Sequence, residues 1–184
     1  MVRVSGCVIA CLASVTVASC GDRHSPPVGL LIDGPRGAGT WQHPAGYEQD
    51  SGSTAFRRWT QRGDDFSQTV HVYLTSRDAA AAFRHSPPER DEVYQGAKEY
   101  SIGARMTGAD QVDYKCGTWN DRSQCITWWA WARYGRYTVE LTYRRATRST
   151  DSLTDPQLAL MITNAGTDVA EKYRAVSASS AGGE

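Results

Sequence analysis

From residue 126 the chain alternates without a break. Ile126, Trp128, Ala130 and Ala132 fall on one face of an extended strand, and Thr127, Trp129, Trp131 and Arg133 fall on the other. The pattern restarts after Gly135, with Tyr137, Val139, Leu141 and Tyr143 on one face and Thr138, Glu140, Thr142 and Arg144 on the second. Aromatic and β-branched residues suit a pleated, half-buried surface, and Gly135 supplies the positive φ of a two-residue turn. Either loop, Tyr134-Gly135 or Gly135-Arg136, brings the two apolar sets together, so the face assignment does not depend on the register. Trp128 is thereby expected in the core. Two readings stand for Trp129 and Trp131: a helix covers them, or they form an exposed aromatic surface, with Arg133 and Glu140 beside them, that binds a partner, glycan or lipid.

The remaining periodicities place the other elements. Residues 54–60 and 66–75 read as strands joined by a turn at 61–65, with Phe66, Val70, Val72 and Leu74 on one face and His71 and Tyr73 on the other. Ser76 is placed to cap a helix over 77–85 that Pro87 and Pro88 end. Two strands are expected at 99–106 and 111–116. Thr154 and Gln157 make a capping box with Pro156 in the first turn. Leu158, Met161, Ile162, Ala165, Val169 and Tyr173 then follow helical spacing. Gly166 interrupts this stripe at a cost of about 1 kcal/mol relative to Ala. Consecutive hairpins with few helices predict an α+β fold: an antiparallel sheet with a short helix and a C-terminal helix packed on it. Residues 51–176 form the expected single domain, preceded by a tether at 20–50 in which the apolar run 28–32 docks on the domain, and followed by a frayed tail at 177–184.

The N-terminus has a different character. Arg3 precedes an uncharged, mostly apolar stretch over residues 4–17, shorter than the roughly 20 residues that span a bilayer. It ends Val17-Ala18-Ser19-Cys20-Gly21, which resembles the bacterial lipobox. The resemblance implies a leader over residues 1–19, a diacylglycerol on the Cys20 thiol, cleavage before Cys20 and acylation of the new amine, as by palmitate. The alternative is ordinary secretory cleavage near Ser19. The chain has five cysteines. Cys7 and Cys11 leave with such a leader and Cys20 takes the lipid, which leaves Cys116 and Cys125 to oxidise outside the cytoplasm. A bridge there contributes on the order of 3 kcal/mol in the chain-entropy view. The competing metal reading has little behind it, because a Cys-x8-Cys pair with no nearby histidine is poor zinc spacing.

Charge excludes some functions. Twenty basic and twenty acidic residues balance, so no broad field draws nucleic acid. The GPRGAG run at 34–39 lacks the Gly-Lys-Ser/Thr of a phosphate loop and reads as a turn. His24, His43, His71 and His85 are scattered, with no metal-binding spacing. The pairs Asp64-Asp65 and Asp91-Glu92 read as solvated loops. Glu140 lacks the second positioned carboxylate that glycoside hydrolysis needs. No catalytic, cofactor or metal motif is therefore expected.

The order of elements, the tether, the C-terminal helix and the Arg133-Tyr134-Gly135-Arg136-Tyr137 turn are similar to small lipoproteins of actinobacteria. Leu30, Leu31, Asp33, Pro35 and Trp41 resemble the opening of extracellular sensor domains of receptor kinases from the same bacteria. The resemblance implies no catalytic residue. The expected function is an extracytoplasmic lipoprotein held to the cell membrane through Cys20, acting as a ligand-binding or sensory module. The alternatives are a structural lipoprotein that packs on another envelope protein, and an undetected hydrolase.

Overall fold

In a computed structural model, residues 25–46, 48–85, 98–99, 102–118, 125–146 and 152–181 are described. The expected leader (residues 1–19), Cys20, Asp91-Glu92 and the last three residues lie outside them. The elements are a 3-10 turn (Pro27–Leu30), β1 (Glu48–Asp50), β2 (Thr54–Gln61), β3 (Asp64–Val72), α1 (Ser76–Arg84), β4 (Lys98–Glu99), β5 (Gln111–Gly117), β6 (Thr127–Tyr134), β7 (Tyr137–Arg144) and α2 (Asp155–Ala181). The strands form one antiparallel sheet in the order β1-β2-β3-β7-β6-β5-β4. The fold is α+β, as expected.

The β6–β7 turn is Gly135-Arg136, since Tyr134 pairs with Tyr137, and Gly135 takes φ 56°. Trp128 faces Tyr143, Ala130 faces Leu141 and Ala132 faces Val139. These residues are buried on the inner face, in one core with Leu158, Met161, Ile162, Ala165 and Val169 of α2. Ile126 departs from the expectation. It lies just before β6 and packs with Trp129 instead of joining this core. Cys116 and Cys125 are bonded, with Cα atoms 5.6 Å apart.

Residues 25–46 pack on the domain, and the run 28–32 docks as expected. Leu30, Leu31 and Ile32 are all buried where the chain runs between α2 and the strands β2 and β3. Gln68, wholly buried in β3, holds this run: its Oε1 accepts from the Ile32 N–H at 2.7 Å and its Nε2 donates to the Leu30 carbonyl at 3.0 Å. Arg57 Nη1 donates to the Ile32 carbonyl at 2.8 Å. Further on, Trp41 packs on Phe66, Gln42 bridges to Thr60, and β1 adds an edge strand to β2.

Other boundaries also shift. The β2–β3 connection is the two-residue turn Arg62-Gly63, both with positive φ (52° and 87°), so Asp64 and Asp65 belong to β3 and not to a loop. Asp64 is buried and accepts from the Tyr143 hydroxyl (2.6 Å) and the Ala146 N–H (2.8 Å). That carboxylate and burial together push the Tyr143 hydroxyl well above the ordinary tyrosine range, burial being the larger cause. Leu74 lies past the end of β3 and is 80% exposed. Thr75, not Ser76, caps α1, its Oγ1 accepting from the Asp78 N–H at 3.1 Å.

Of the expected strand 99–106, Glu99 pairs among the described residues, preceded by Lys98; residues 102–106 cross α2 instead. They do so at Gly166, where an added Cβ meets the Arg105 carbonyl at 2.8 Å and Met106 Cα at 2.9 Å. The glycine in the stripe is thus the point of closest approach. α2 continues to Ala181, beyond the expected fraying at Val176. No helix among the described residues is long and apolar enough to cross a membrane.

Candidate functional site

The second face of the sheet is built in rows, because directly paired residues share a face. One row is Arg58, Ser67, Thr142, Trp129 and Lys115; the next is Thr60, Asp65, Arg144 and Thr127; a third runs Phe56, Thr69, Glu140, Trp131 and Asp113. α1 lies against β6 and β7, with Ala79 as its buried contact residue.

This arrangement decides between the two readings of the tryptophans. Trp129 is 6% and Trp131 3% exposed, so they do not form an exposed aromatic surface. The strands are long enough for both faces to be covered, and Trp131 lies on the strands that α1 contacts. Arg133 is also committed: it donates to Gln111 Oε1 at 2.8 Å and to the Gly135 carbonyl at 3.0 Å, and pairs with Asp110 at 3.1 Å. Glu140 sits opposite Trp131 and Thr69 and accepts from the Thr142 hydroxyl at 2.6 Å. Burial pushes its carboxyl above the usual carboxylate range, and the Thr142 bond only partly opposes this. A carboxylate in a poorly solvated site is less stable than the acid.

Of the four residues expected to form a surface, Trp129 lines a cavity. This cavity, about 200 Å³, is bounded by Arg58, Asp65, Ser67, Thr127, Trp129, Thr142 and Arg144. Arg58 forks onto Asp65, with Nε and Nη2 at 3.0 and 2.5 Å from Oδ1. Arg144 is exposed. Thr127 is 2% exposed, and its hydroxyl finds no hydrogen-bond partner among the described residues. The site therefore offers guanidinium donors, hydroxyls that donate and accept, and one indole at its wall. That set suits a small polar ligand carrying an anionic or hydroxylated group.

A second hollow of about 360 Å³ lies along Gly39, Thr40, Gln42, Thr60, Gln61 and Arg62; it is larger but carries a single charged side chain. His71 stands apart from both cavities, its Nδ1 2.9 Å from Thr54 Oγ1, and burial holds its pKa below the ordinary value. Among the described residues no three of His, Cys, Asp or Glu converge to hold a metal ion.

Arg58, Ser67, Thr127 and Arg144 were not expected from the sequence as site residues, and Asp65 was expected in a solvated loop. The available signal was the two-residue turn at Arg62-Gly63, which sets Arg58 and Asp65 on one face of a hairpin. Compared with protein-family models, curated proteins and solved structures, the chain matches none of them.

Proposed function

We propose that the chain is a lipoprotein anchored outside the cytoplasm through Cys20, and that its domain is a binding module for a small polar ligand rather than a catalyst. The anchor rests on the uncharged stretch of residues 4–17 that ends at Val17-Ala18-Ser19-Cys20. A single acyl chain holds a protein only marginally, at about 0.8 kcal/mol per buried CH₂, whereas a diacylglycerol supplies two chains. The binding role rests on one observation: the polar cavity at Trp129, where charge, hydroxyls and an indole meet on a rigid sheet. The rival reading, a lipoprotein packed on another envelope protein, calls for a broad apolar face. The large exposed hydrophobic residues among those described are instead only three, Leu74, Val112 and Leu160, too few for such a face.

Two measurements test the proposal. Cys20→Ala should abolish lipid mass and detergent-phase partition; unchanged partition overturns the anchor. Titration of the isotopically labelled soluble domain with inorganic phosphate, citrate and glucosamine should shift the Trp129 indole and Thr127 amide signals for at least one of them. Arg144→Gln should weaken that response, and shifts spread elsewhere on the domain, or none, overturn the cavity as the site.

A further inference from the structure

We infer that the β6–β7 hairpin end of the domain is the surface that rests on the lipid, with Leu74 among the headgroups and the Trp129 cavity turned away from the membrane. This rests on the reading of Cys20 as lipidated.

The first support is where the chain joins the domain. Tyr137, the first residue of β7 after the turn, donates its hydroxyl to the Ser25 carbonyl at 2.9 Å. Gly29 lies against Val176, near the C-terminal end of α2. Tyr173, one turn earlier, packs on Tyr134 and Tyr137, which flank the same hairpin turn. Residues 21–24 alone separate Cys20 from Ser25. At no more than about 3.5 Å per residue, they keep Cys20 within about 18 Å of Ser25. Thr127 and Arg144 sit at the opposite end of β6 and β7, about 23 Å from the turn at roughly 3.3 Å per residue. A lipid on Cys20 thus holds the hairpin end nearer to the bilayer than the cavity end.

The second support is what this end exposes. Leu74, 80% exposed, is the most exposed large hydrophobic side chain among the described residues. The Tyr73 N–H donates to the Arg136 carbonyl at 3.0 Å, which fixes Leu74 beside the hairpin turn. Val112, 37% exposed, pairs with Ala132 near the same end. Arg77, exposed in the first turn of α1, has no ion pair among the described residues. The acidic neighbours are mostly engaged: Asp78 with the Thr75 hydroxyl, Asp110 with Arg133, and Asp33 with Lys172. Exposed Glu171 and exposed Arg174, both on α2, cancel in net charge. Arg136, in the turn itself, also has no ion pair among the described residues and lies over the Tyr137 ring. The end is therefore close to neutral, with an apolar tip and two guanidiniums outside ion pairs, those of Arg77 and Arg136. That composition suits the zwitterionic and anionic headgroup layer, where a leucine gains burial and an arginine meets phosphate.

The test uses the full lipidated protein in phosphatidylcholine–phosphatidylglycerol vesicles that contain a headgroup spin-labelled phosphatidylcholine. An environment-sensitive fluorophore is placed at Leu74→Cys or at Leu160→Cys. Leu160 is half-exposed on α2, about 20 Å along the helix from Tyr173. The protein should float with the vesicles, the label at 74 should lose most of its fluorescence and the label at 160 should keep it. Equal quenching, or stronger quenching at 160, in protein that floats overturns the orientation and leaves the anchor standing. Failure to float overturns both. Quenching at 74 that persists in the Cys20→Ala protein also overturns the inference, because the contact is then the fluorophore's own.

Discussion

Replacing Gln68 by Leu tests how the N-terminal run is held. Gln68 is fully buried and closes two bonds with the backbone of Leu30 and Ile32. Leucine has similar volume, so the main effect is to strand one N–H and leave the Leu30 carbonyl without this donor. A buried group left without a partner costs about 1–3 kcal/mol. The added apolar contact returns about 1 kcal/mol. With two groups stranded, the expected net loss is therefore about 1–5 kcal/mol in a urea titration of the soluble domain. Release of the run exposes Leu30, Leu31 and Ile32, so limited proteolysis between residues 33 and 46 should accelerate before global unfolding. Gln68→Glu should fail in a pH-dependent way, since a carboxylate repels the Leu30 carbonyl and its acid form does not. A loss for Gln68→Leu under about 1 kcal/mol, with proteolysis unchanged, refutes the claim that this side chain holds the segment in the core.

Gly166→Ala should destabilise by about 1–3 kcal/mol through overpacking against Arg105 and Met106, although helix propensity alone favours alanine; a denaturation midpoint that rises refutes the close approach. Trp128→Ala should cost about 3–5 kcal/mol as a buried aromatic truncation, because the indole stacks on Tyr143 and lies under the Arg145 guanidinium; a loss below about 1 kcal/mol would place Trp128 outside the core. Glu140, with its pKa raised by burial, binds a proton more readily folded than unfolded. Its contribution is present at low pH and is lost as pH rises from the unfolded value through the raised folded one. Glu140→Gln should flatten that decline in urea midpoints measured across pH, and an unchanged slope would mean another group titrates. His71 acts in the opposite sense, its lowered pKa making folding less favourable as pH falls through the folded value.

The sequence by itself determined the elements whose signals are local. Period-two alternation around Gly135 specified the β6–β7 hairpin, its inner face and the burial of Trp128, because a one-residue slip would expose the whole apolar set. Thr154, Pro156 and the stripe from Leu158 to Tyr173 marked α2 for the same kind of reason, and Cys116 and Cys125, the two cysteines outside the expected leader and lipid site, marked the bridge. Tertiary structure decided whatever depends on residues far apart in the chain. A strand's pattern does not say whether its second face is covered, so Trp129 and Trp131 admitted two readings until α1 was seen against β6 and β7. β1 consists of exposed Glu48, Gln49 and Asp50, whose only qualification as a strand is a free edge on β2. Leu30, Leu31 and Ile32 show no periodicity because they are covered on all sides by α2, β2 and β3. Gly166 looked like a flaw in a helix and is where a second segment crosses it. The cavity has the same origin: its charged and hydroxylated residues come from four strands, and only their pairing brings them to one wall.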